Sequence, residues 1–186
     1  MGAQPPRRKK SASGAAPRAD STAPDAAKVR VRKLPDEEAW ELVPPRCALD
    51  RRDDLEEVRK MIDAGELEVA TDECRWLLEG CSDCLDAHRM LGEIALELDD
   101  LPLARGHFGY AYRLGAKALD DAGVSGPLPY RLAANQSFFE AAKGLVWCLV
   151  KLDKRELAEE VVARITRCDP IDPLAMARLL AGQQAE

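Results

Sequence analysis

The pattern Leu67-x2-Ala70-x3-Cys74-x2-Leu77 returns 34 residues later as Leu101-x2-Ala104-x3-Phe108-x2-Ala111. A period of this length is one helix-turn-helix unit, and a single unit buries its apolar face only against the next one. The repeat therefore predicts an all-α chain of stacked helical hairpins. Stacking of this kind makes a groove rather than an enclosed catalytic pocket.

The second copy extends the match: His88-x2-Leu91-Gly92-x2-Ala95 precedes Ala104-x3-Phe108-x2-Ala111, and the whole resembles the tetratricopeptide repeat (TPR) family. Gly92 and Ala104 fall where two helices of one hairpin approach closely, because a larger side chain would push their axes beyond the usual ~8–10 Å. Leu91, Ala95 and Phe108 fill the seam. A third copy runs through Leu145-Val146-x2-Leu149, Leu157-Ala158, Val162 and Ile165 to Asp169-Pro170, departing from the family at Val146, where glycine is usual, and at Val162, where an aromatic is usual. The first copy is the least regular, with Glu57 at the position of the seam leucine. The resemblance implies a right-handed superhelical stack of about three hairpins.

Spacing sets the boundaries. Ala70 to Ala104 is 34 residues and Ala104 to Ala158 is 54, so about 20 residues are inserted between the second and third copies, in a stretch holding Gly123, Gly126, Pro127 and Pro129. Hairpins are expected at about 51–84, 85–118 and 139–172, with the insertion at 119–138, inside a repeat domain spanning 51–180. Gly65 suits a left-handed helix terminus, Asp153 before Glu156 suits a capping box, and Asp172-Pro173 starts a last capping helix bearing Leu174, Met176, Leu179 and Leu180. Residues 36–50 are read as a linker with a short helix around Trp40, stopped by Pro44-Pro45, and 181–186 as a C-terminal tail.

Charge is unevenly divided. Residues 1–35 hold nine Lys/Arg against two Asp/Glu, while the chain as a whole carries −6. Arg7-Arg8-Lys9-Lys10 lies among Pro, Ser, Ala and Gly, a composition that buries too little surface to offset the entropy of ordering, so 1–35 is expected to be a disordered basic tail. Such a tail offers salt-sensitive, sequence-independent contacts to phosphate, which makes a nucleic-acid-associated factor the alternative reading. No apolar run approaches the roughly 20 residues of a membrane span, and no leader-like apolar stretch stands near the start, so a cytoplasmic location without a membrane partner is expected.

Six cysteines raise metal and redox chemistry. Cys81, Cys84 and His88 have zinc-like spacing but lack a fourth ligand unless the fold supplies Cys47, Cys74 or His107. The thiols are read as reduced and structural, with no metal and no cofactor. Neither His88 nor His107 stands in a nucleophile–base arrangement, so no enzymatic activity is expected.

What remains is the groove. The resemblance implies binding through the outward side of each first helix, which places Arg52, Leu55, Arg59 and Ile62, then Asp86, Arg89, Glu93 and Leu96, then Glu140, Lys143, Trp147 and Val150 along it. Arg52, Arg59, Arg89, Glu93, Lys143 and Trp147 are the candidate binding residues. Ala70, Leu91, Gly92, Ala104, Phe108, Ala111, Leu145, Leu149, Ala158 and Pro170 define the repeat. The expected partner is a protein or peptide, held by an adaptor or scaffold, and the end faces of the array leave self-association open.

Overall fold

The computed structural model describes residues 27–181. The tetrad Arg7–Lys10, most of the expected basic tail and residues 182–186 lie outside them.

Eight helices and one two-stranded sheet make up the described residues: β1 (Arg30–Lys33), β2 (Trp40–Val43), α1 (Arg46–Leu49), α2 (Arg52–Asp63), α3 (Leu67–Gly80), α4 (Leu85–Glu97), α5 (Leu101–Asp121), α6 (Ala133–Lys151), α7 (Arg155–Cys168) and α8 (Met176–Ala181). The chain is mostly helical. Helices α2–α3, α4–α5 and α6–α7 are packed pairs; α3 packs on α4, α5 on α6, and the first helices touch one another, α2 on α4 and α4 on α6.

Each pair is closed by the same backbone device. Gly65, Asp99 and Asp153 follow α2, α4 and α6 with φ of 76°, 56° and 56°. The amide of each donates three residues back, and the next amide donates five back: Gly65 to Ile62 and Glu66 to Met61, Asp99 to Leu96 and Asp100 to Ala95, Asp153 to Val150 and Lys154 to Leu149. This left-handed terminus satisfies carbonyls that a helix end otherwise leaves free. Asp153 is thus a turn residue. The expectation of a capping box starting there is corrected, since α7 begins after Lys154 and no side chain caps it.

Packing explains the small residues. A Cβ on Gly92 would lie 2.7 Å from the Phe108 ring, and one on Gly144 would lie 2.6 Å from the same ring. Phe108 of α5 is therefore gripped between α4 and α6. Gly144, two positions before the Val146 that departs from the family pattern, supplies the close approach in the third pair. Gly115 gives the same relief to Phe138, its Cβ position being 2.3 Å from that ring. Ala70, Leu91, Ala104, Ala111, Leu145, Leu149 and Ala158 are all buried, whereas Pro170 is exposed just past the end of α7.

The described residues are mostly helical, as expected, with one small two-stranded sheet that the all-α reading lacked. Antiparallel β1 and β2 pair Val31 with Leu42 and Arg32 with Glu41 across a turn in which the Leu34 amide donates to the Ala39 carbonyl at 2.8 Å. Alternation decides it: Leu42 is buried, Val31 and Trp40 pack on the core, and Glu41, on the other face, pairs with Arg32. The stretch before Pro44-Pro45 is a strand, and the short helix, α1, follows the prolines. Residues 30–33 are ordered by this pairing rather than belonging to a disordered tail.

The insertion is shorter than its expected 119–138, because α5 runs on to Asp121 and α6 starts at Ala133. Its remaining residues lie against β2 and the end of α7: the Trp40 amide donates to Pro127 O at 2.9 Å and the Leu128 amide to Cys168 O at 2.7 Å. Asn135, fully buried at the start of α6, pins both segments. Its Oδ1 accepts from the Leu42 amide at 2.8 Å, and its Nδ2 donates to Trp40 O at 3.2 Å and Pro129 O at 2.9 Å. Helix α8 is capped by Asp172, whose carboxylate accepts from the Met176 and Ala177 amides.

Candidate functional site

Because first helices pack on first helices, α2, α4 and α6 present successive faces to one concavity. A cavity of about 550 Å³ opens there, lined by Arg59, Ile62 and Asp63 of α2, Asp86, Arg89, Met90 and Glu93 of α4, and Ala133, Gln136, Ser137 and Glu140 of α6. Helical spacing produces the lining: Asp86, Arg89 and Glu93, and likewise Ala133, Gln136 and Glu140, stand three or four residues apart on one face.

Arg89 forms the floor. It is only 5% exposed. Its Nη1 donates to Glu93 Oε1, one turn on, and its Nε lies 3.4 Å from Glu140 Oε2 on the facing helix. Glu140 Oε1 also accepts from the Tyr130 hydroxyl at 3.3 Å, and Ser137 Oγ donates to Asp86 Oδ1 at 2.5 Å. Burial raises the Glu93 carboxyl above its ordinary value, the Arg89 charge opposes that rise, and the Glu140 charge adds to it.

The cavity brings together Arg59, Arg89 and Glu93 of the six candidate binding residues. Arg52 stands exposed at the start of α2, and Lys143 and Trp147 lie beyond the cavity along α6, where Trp147 is 38% exposed with Lys151 Nζ 5.8 Å from the centre of its ring. Arg89 is not a free cation waiting for an acidic ligand, since two carboxylates already face it. Gln136 and Ser137, absent from the sequence reading, enter the lining because α6 starts earlier than expected. The three-and-four spacing back from Glu140 is the signal that would have found them.

The cysteine and histidine candidates lie elsewhere. Cys81 is joined to Cys47 in a disulfide that ties α1 to the end of α3, which corrects the expectation that both thiols are reduced. Disulfides persist in oxidising surroundings and are rare in the cytosol, so this bond gives the cytoplasmic expectation no support. Burial pushes the Cys84 thiol up to about 11 and that of Cys74 to about 12, keeping both protonated. Among the described residues, no group of three or more His, Cys, Asp or Glu side chains is placed to hold a metal ion.

His88 turns instead to His107 and Tyr110. Its Nε2 lies 3.2 Å from Ser82 O and its Nδ1 3.4 Å from His107 Nδ1, while the Tyr110 ring sits 4.3 Å away, centre to centre. With Nε2 assigned as the donor to Ser82, His88 Nδ1 accepts from His107. Burial lowers the His88 imidazole to about 4, and it lowers His107 as well.

A depressed histidine value means that the unfolded chain takes up the proton first. The stability held by the neutral pair is full above the ordinary value of about 6.5 and is lost as pH falls toward 4. The urea midpoint is expected to drop between pH 7 and pH 4.5, and to drop less in His88→Gln. Equal losses in parent and variant would assign the acid sensitivity to other groups.

Among the described residues no helix is long and apolar enough to cross a membrane. Compared with models of protein families, with curated proteins and with solved structures, the chain matches none.

Proposed function

We propose that the chain is a tetratricopeptide-type interaction module, a right-handed superhelical stack capped by α8, that holds a peptide or partner helix in the concavity of α2, α4 and α6 and carries out no chemistry of its own. The observation that carries this reading is the packing of first helix on first helix, which turns three separate sequence repeats into one continuous lined surface. The identical turns at Gly65, Asp99 and Asp153 support the same reading, because one closing geometry used three times stacks equivalent hairpins at similar angles. Asp86, Arg89, Glu93, Ser137 and Glu140 in the cavity are held by ion pairs and hydrogen bonds, an arrangement suited to recognition. Of the basic residues expected in the tail, Arg32 pairs with Glu41 and Lys33 with Glu38, while the Arg7–Lys10 tetrad that carries the phosphate alternative lies outside the described residues.

The test is to pan a random peptide library against the full chain and to measure selected peptides by calorimetry. Gln136→Trp fills the cavity without touching the seams, and affinity is expected to fall by about tenfold or more. Peptides that bind both proteins equally would place recognition outside the concavity and sink the reading.

A further inference from the structure

The charges in this cavity do not balance. Asp63, Asp86, Glu93 and Glu140 face Arg59 and Arg89, so the ionised lining has two negative charges in excess. Glu93 and Glu140 both pair with the one buried guanidinium of Arg89, and Arg59 on α2 adds a more distant positive charge at Glu93, which still leaves the carboxylates in excess. That guanidinium is itself incompletely used: Nε of the buried Arg89 has no aligned acceptor among the described residues, although Glu140 Oε2 is 3.4 Å away. Two carboxylates drawn to one cation attract a second, and a buried N–H without an acceptor draws a carbonyl. A lysine or arginine within a peptide brings both groups in one residue, a cationic side chain and a main-chain carbonyl.

We propose that the cavity selects a basic peptide, seating a lysine or arginine side chain between the carboxylates of Glu93 and Glu140 above Arg89; this rests on the peptide-groove reading and names the ligand for it. The half-exposed carboxylates make the seat accessible, since their side chains are 40% and 36% exposed while Arg89 below is 7%. Arg89 acts as a positioning residue. It pairs with both carboxylates from below, and the incoming cation meets their outer oxygens. Asp86 is already oriented by Ser137 at the same rim and adds to the negative field.

The experiment is calorimetric titration of the full chain with three blocked alanine-based peptides, carrying an arginine and a lysine, two glutamates, or two glutamines. Binding of the basic peptide alone is expected, weakening as salt rises. Glu93→Gln with Glu140→Gln should cut its affinity about tenfold or more, the scale of losing one charged hydrogen bond. Glu156→Gln with Glu160→Gln removes the same charge from exposed positions on α7 and should change it less than about twofold. Gln136→Lys keeps both carboxylates, sets an ammonium at their rim and should give the tenfold loss without disturbing the floor. Equal losses in the two glutamate pairs would reduce the effect to net charge and overturn the proposal. Binding of the glutamate or glutamine peptide in place of the basic one would overturn it while leaving the peptide groove intact. Failure of library panning to yield any peptide sensitive to Gln136→Trp would bring down both.

Discussion

Phe108→Ala is expected to lower the free energy of unfolding by about 3–5 kcal/mol, measured as a shift of the urea midpoint at unchanged slope. The ring is 2% exposed and fills the space left by two glycines on different helices, Gly92 of α4 and Gly144 of α6. Truncation removes buried apolar surface and leaves a void faced by glycine on two helices, which on those sides cannot close without moving the helix axes. Poor relaxation of this kind puts the cost at the upper end of core truncations. A loss under about 1 kcal/mol would mean that α4, α5 and α6 adjust freely and that the two glycines do not set the spacing of the stack.

Asn135→Ala is expected to cost a comparable ~3–5 kcal/mol, for a different reason. No large volume is lost. Three main-chain groups lose their Asn135 partner at once: the buried Leu42 amide and the part-buried Trp40 and Pro129 carbonyls. The Leu42 amide is left unpaired in the core at about 1–3 kcal/mol, and the two carbonyls, open in part to water, each add a smaller cost. Hydrogen exchange separates this from a general loss of stability. Protection of the Leu42 amide should fall far more than that of Leu77 in α3, and equal loss at both sites would show that Asn135 acts through the whole fold rather than by pinning β2 to α6.

The two residues differ in how visible they were. Phe108 belongs to a pattern in which spacing carries the information, because seam positions recur wherever a helix turns back to the same face. Gly144 escaped that pattern, since the close approach in the third pair falls two residues before the expected position. Asn135 carries no local signal, because its partners are 93 and 95 residues away along the chain and 6 residues away in the insertion. The β-hairpin escaped for a related reason. Two four-residue strands are too short for period-two alternation to stand out from an amphipathic helix, and their order comes from packing on α5 and α6.

The candidate site was half visible. Arg59, Arg89 and Glu93 follow from the repeat frame, but the frame treated each as an independent charge offered to a partner. In the structure Arg89 is buried beneath two carboxylates, so the accessible charge of the cavity is negative. Cys81 shows the same limit: its spacing to Cys84 and His88 suggests a metal, while its bonded partner, Cys47, stands across the first hairpin.

The amino-acid sequence by itself determined the helical hairpins, their period and the seam residues that pack them, because helical periodicity, turn residues and apolar spacing are local properties that recur with each copy. Only the tertiary structure decided the register of the β-hairpin, the anchoring of the insertion by Asn135, the Cys47–Cys81 bond and the sign of the cavity. Each of these depends on which distant groups meet, and in a buried site the number of carboxylates sharing one guanidinium, rather than the charge of any single residue, sets what the surface attracts.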